Sequence, residues 1–79
     1  MGEIKLKQMR LIFQIYNVQD NNECVRFVRK VTDLLGNVIW EDDGKIHYTT
    51  ATESFFNALE LQMKQLPVWN ITQTMREYL

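Results

Sequence analysis

Residues 23–35 read ECVRFVRKVTDLL, and whether this stretch is strand or helix decides the fold. As a strand, Val25 and Phe27 alternate with Cys24, Arg26 and Val28, and β-branched residues are plentiful. As a helix, Cys24, Phe27, Val28, Val31 and Leu35 make an i, i+3, i+4, i+7 stripe. Asp20 with Glu23 would then form a capping box, and Gly36 a left-handed C-terminal cap. The strand is the reading taken, because the composition favours it and the polar run at residues 19–22 serves equally well as a hairpin turn.

On the N-terminal side, residues 9–18 (MRLIFQIYNV) read as a partner strand. Met9, Leu11, Phe13 and Ile15 share one face, while Ile12, Tyr16 and Val18 leave the second face partly apolar. On the C-terminal side, two β-rich runs, Val38–Asp42 and Lys45–Thr49, flank Asp43-Gly44. That dipeptide suits a type I′ hairpin turn, whose central residues need positive φ. Thr50 and Glu53 then fit a Thr-x-x-Glu capping box. Phe56, Leu59, Met63 and Leu66 follow at helical spacing, and Pro67 ends the helix. Asn70-x-x-Gln73 repeats the capping pattern, so a short last helix carrying Ile71, Met75 and Tyr78 is expected. The expected fold is α+β: an antiparallel sheet of three or four strands, covered on one face by a C-terminal helix, with a short terminal helix beside it.

The 79 residues suggest one small domain, residues 1–79. A hydrophobic fraction of 46% with four Phe, three Tyr and two Trp argues against a disordered chain. No run approaches the ~20 apolar residues of a membrane span. The first twelve residues mix charged and apolar positions, so no secretion signal is expected, and a cytoplasmic location follows by default.

Catalytic and metal chemistry finds little to work with. One Cys and one His fall short of a zinc site. His47 is expected to face Trp40 across the Asp-Gly turn as a packing pair, and Cys24 to be a small apolar residue. Glu41-Asp42-Asp43 lacks the spacing of a calcium loop and reads as a solvated hairpin tip. No catalytic residue, metal ligand or cofactor is therefore expected, and no enzyme.

Two interaction readings remain. The first is a non-enzymatic interaction module, a homodimer or a small partner of a larger protein. Its candidate interface residues are Ile12, Tyr16 and Val18 on the second face of the first strand, with Trp40 and Trp69, since Trp is enriched at interface centres. The second is binding of single-stranded nucleic acid through Arg10, Arg26, Arg29 and Lys30, basic residues interleaved with aromatics. Lys5 and Lys7 extend that basic group. The net charge of −1 weighs against this second reading.

Overall fold

The computed structural model describes residues 7–16 and 23–79. Three strands, β1 (Met9–Tyr16), β2 (Cys24–Asp33) and β3 (Val38–His47), are followed by helix α1 (Glu53–Gln65) and strand β4 (Ile71–Tyr78). The strands form one sheet in the order β3-β2-β1-β4. β1 pairs antiparallel with β2, and β2 with β3. β4 pairs parallel with β1, so the sheet is mixed. Val18, Lys5 and residues 19–22 lie outside the described residues.

Within the segment 23–35, Cys24–Asp33 form a strand, as the composition favoured. Its ten paired residues bury Val25, Phe27 and Val31 on the side that faces α1. Leu11, Phe13 and Ile15 from β1 join them, with Phe56 and Met63 from α1 above. Edge-to-face ring contacts knit the layers: Phe56 stands 6.0 Å from Phe13 and 5.7 Å from Phe27, centroid to centroid.

Three local expectations are corrected. First, the expected Asp43-Gly44 turn does not exist. β3 runs unbroken from Val38 to His47, and Gly44 pairs with Phe27 in mid-strand. A turn there would leave the first half of β2 without a partner on that side. The β2–β3 reversal falls at Leu34–Asn37 instead, where Gly36 adopts φ +95°. Asp33 builds this turn. Its carboxylate accepts from the backbone N–H of Leu35 (3.0 Å), the backbone N–H of Asn37 (2.9 Å) and the Asn37 side-chain amide (2.9 Å). These bonds hold the Asp33 carboxyl below its ordinary value of 3.8, with the Asn37 side chain the largest cause. A depressed pKa contributes stability that is complete above the unfolded value and is lost as pH falls through the folded one. Acid titration followed by carboxyl-carbon NMR should therefore show Asp33 titrating below 3.8, and Asn37→Ala should bring it back toward that value.

Second, the helix starts later than the Thr50–Glu53 box implies. Thr50 lies in the bend after β3, where its N–H donates to the His47 carbonyl. Thr52 is the N-cap, its hydroxyl accepting from the Phe55 N–H at 3.2 Å. Thr52→Ala should therefore cost about 1 kcal/mol in chemical denaturation. Thr50→Ala should cost clearly less, and equal losses would contradict this cap.

Third, the helix is not C-terminal, and no last helix forms from Asn70. Residues 71–78 are β4, laid against the free edge of β1. The reason is tertiary. β1 carries Leu11, Phe13 and Ile15, all fully or almost fully buried, and its outer edge needs backbone partners. Helix α1 returns the chain to the end of the sheet where β1 starts, so the next strand runs parallel to β1. Arg76 of β4 then donates from Nε to Glu60 of α1 at 2.8 Å and also reaches Asn57, fastening helix to strand.

Candidate functional site

The helix covers one face of the sheet. The other face is built by the alternate residues of each strand. β1 contributes Arg10, Ile12, Gln14 and Tyr16; β2 contributes Cys24, Arg26, Val28 and Lys30. Glu41, Asp43 and Lys45 come from β3, and Gln73, Met75 and Glu77 from β4. Cross-strand register sets the neighbours. Ile12 lies between Lys30 and Met75, and Gln14 between Val28 and Glu77. Lys30 is opposite Glu41, Val28 opposite Asp43 and Arg26 opposite Lys45. Charge is thus concentrated on the β3–β2 side of this open face. The β1–β4 side holds the adjacent apolar pair Ile12 and Met75, with Met75 45% exposed.

The five candidate interface residues are not brought into one patch. Ile12 and Tyr16 lie on the open face, and Val18 is outside the described residues. Trp40 and Trp69 are on the helix side, with ring centroids 6.3 Å apart. They line a cleft of about 580 Å³ with Met63, Leu66, Gln62 and Arg29. Arg29 sits 5.3 Å from the Trp40 ring centroid and is held by Asp42 in a two-pronged ion pair, with Nε to Oδ1 at 2.8 Å. Its charge is matched within the chain, so the cleft offers indole faces and amides.

The candidate nucleic-acid residues are likewise divided. Arg29 is on the helix side, bound to Asp42. Arg10 donates to Gln73 at 3.0 Å, and Lys30 faces Glu41. Among the described aromatics, Tyr16 shares the open face with Arg10, Arg26 and Lys30, and His47 with Tyr48 stacked on it lies at its far end. Stacking platforms for bases need several such rings beside the cations.

His47 does not face Trp40, because the turn that paired them is absent. It is the cross-strand partner of Cys24, a juxtaposition that the sequence reading missed for the same reason. Its Nδ1 lies 2.7 Å from the Thr49 hydroxyl, and its Nε2 lies 3.6 Å from the Glu23 carboxylate. The imidazole also stacks on Tyr48 with centroids 4.6 Å apart. Both ring nitrogens are thus directed at other groups at an exposed end of the sheet. Among the described residues no group of three or more His, Cys, Asp or Glu side chains is placed to hold a metal ion, and no helix is long and apolar enough to cross a membrane. No family model, curated protein or solved structure matches the chain. The functional reading rests on these surfaces alone.

Proposed function

We propose that this chain is a non-enzymatic interaction module that self-associates through the β1–β4 side of its sheet. The observation that carries the proposal is the position of residues 71–78. Had this segment folded back over the second face of β1, it would have covered Ile12 and Tyr16 within the chain. As β4 it lies in the plane of the sheet and adds Met75 to the uncovered face. Burying an apolar side chain is worth roughly 1.5–3 kcal/mol relative to leaving it in water. Met75, 45% exposed beside the half-buried Ile12, with Val28 diagonal to Ile12, therefore favours association. Closed two-fold dimers are the commonest way to satisfy such a surface.

The nucleic-acid reading is weaker on this geometry. The same face interleaves Glu41, Asp43 and Glu77 with its bases, and phosphate binding depends on unopposed positive charge. Light scattering on the intact chain at tens of micromolar should give twice 9.5 kDa. A 9.5 kDa species at that concentration would overturn self-association. Tight, salt-sensitive binding of single-stranded DNA would restore the alternative.

A further inference from the structure

We infer that the second copy joins at the outer edge of β4, antiparallel and centred on Met75, so that two four-stranded sheets become one. This deepens the reading above and rests on it.

β4 is the last strand of the sheet, and among the described residues none lies beyond it. The direction of its backbone groups follows from one bond. The Leu79 N–H donates to the Ile15 carbonyl at 2.8 Å, and Tyr78 is the register partner of Ile15. Strand backbone groups alternate in direction. Gln73, Met75 and Glu77 therefore turn theirs toward β1, while Thr74, Arg76 and Tyr78 turn theirs outward. An outward row of this kind is a template for another strand.

The two edges of the sheet differ. β3 carries Glu41-Asp42-Asp43 in mid-strand, and its pairing with β2 shifts register between Val31 and Thr32. A two-fold contact centred on Glu41, Asp42 or Asp43 would set carboxylates against carboxylates, and like charges opposite one another are destabilising; a centre at Gly44, which pairs Asp43 with Lys45, is the register there that avoids this. β4 is uncharged from Ile71 to Met75, with Thr at 72 and 74, which suits a strand.

Charge also selects the register. Around a two-fold axis at Met75, the Gln73 amide faces Glu77 of the other copy, as the Gln14 amide already faces Glu77 within the chain at 3.3 Å. Thr74 then meets Arg76, and Thr72 meets Tyr78. No like charges oppose, and the two reciprocal Thr74–Arg76 pairs form about four backbone hydrogen bonds between the copies under the antiparallel pattern. A centre at Arg76 would oppose two guanidinium groups, and a centre at Thr74 would set Glu77 against Ile71. Only at Met75 does an apolar row run across the axis, as Ile12, Met75, Met75 and Ile12; the edge contact packs Met75 against its copy and leaves Ile12 on the open face.

Three variants test this by light scattering, each checked for folding by circular dichroism. Thr74→Pro removes an outward N–H that pairs with no strand among the described residues, and its side-chain position lies on the helix side, away from the open face. Met75→Lys and Met75→Glu each place like charges on the axis. We expect the dimer mass for the intact chain, the monomer mass for each variant alone, and the dimer mass again when Met75→Lys and Met75→Glu are mixed. If Thr74→Pro does not fold, the Met75 pair decides. A dimeric Thr74→Pro or Met75→Lys would overturn edge pairing and leave self-association standing. Failure of the mixture to restore the dimer would overturn the Met75 axis. A monomeric intact chain would overturn the self-association reading itself.

Discussion

Replacing Phe56 with alanine should cost about 3–5 kcal/mol, the range for deleting a buried aromatic ring. Phe56 is 3% exposed and, with Met63, is one of the two helix residues buried against the sheet. Its ring stands edge-on to Phe13 and Phe27, and Phe55 packs against it with centroids 5.4 Å apart. The Arg76 guanidinium lies 5.9 Å from its centroid, so the ring also lines the site where Glu60 holds β4 to the helix. A chain of this length has about 4–12 kcal/mol of total stability at 0.05–0.15 kcal/mol per residue, so the substitution removes a large share of it. Urea denaturation followed by far-UV circular dichroism measures the loss. Leu61→Ala is the control, since Leu61 is exposed on α1; it should change stability by about 0.5 kcal/mol or less. Equal losses for the two variants would mean that the helix does not dock through Phe56.

Gly44→Val should cost about 1–3 kcal/mol, because it overpacks the core. A Cβ at Gly44 would come 2.8 Å from Cζ of Phe27 and 3.2 Å from its Cε1. The Phe27 ring lies across this glycine and is pinned from above by Phe55 and Phe56, so it has little room to retreat. Gly44→Ala should cost less, since a shift of the ring by a few tenths of an ångström relieves part of the contact. Gly44→Asn separates this account from the turn that the Asp43-Gly44 dipeptide suggested. Asn tolerates positive φ and would be nearly neutral in a type I′ turn. Beneath Phe27 it should be destabilising, and a neutral Gly44→Asn in thermal denaturation would argue for the turn.

These two glycine accounts show how much was legible. The need for a glycine at position 44 could be read from the sequence; its cause could not. Asp-Gly between β-rich runs matches a local turn pattern, but the real constraint is Phe27, seventeen residues earlier, crossing from the neighbouring strand. The true turn gave a quieter signal: Asp33, whose side chain collects three donors, and Gly36 at positive φ. The helix cap was misplaced for a local reason as well. The Thr-x-x-Glu pattern points only to Thr50, and the bend that leaves β3 takes it up, so the role passes to Thr52.

Of the candidate site, the alternation in β1 correctly separated Leu11, Phe13 and Ile15 from Ile12 and Tyr16, because strand side chains alternate strictly between faces. Grouping Trp40 and Trp69 with Ile12 and Tyr16 could not be tested without knowing that β3 is unbroken and that Trp69 precedes a strand. The Arg29–Asp42 pair was hidden for the same reason, since the Asp43-Gly44 turn would have placed Asp42 opposite Lys45.

By itself, then, the sequence determined the β-rich runs at residues 9–18, 38–42 and 45–49, one amphipathic helix ended by Pro67, and many of the apolar residues between them, while residues 23–35 fitted strand or helix. These follow from periodicity and propensity within a few residues. Only the tertiary structure decided that residues 71–78 are a strand. Their apolar spacing suits a short helix, but the exposed edge of β1 offers backbone partners along its length, and pairing there satisfies groups that a helix would leave unmade. That choice makes the sheet mixed, leaves its second face without a cover among the described residues and puts Met75 on the outermost strand.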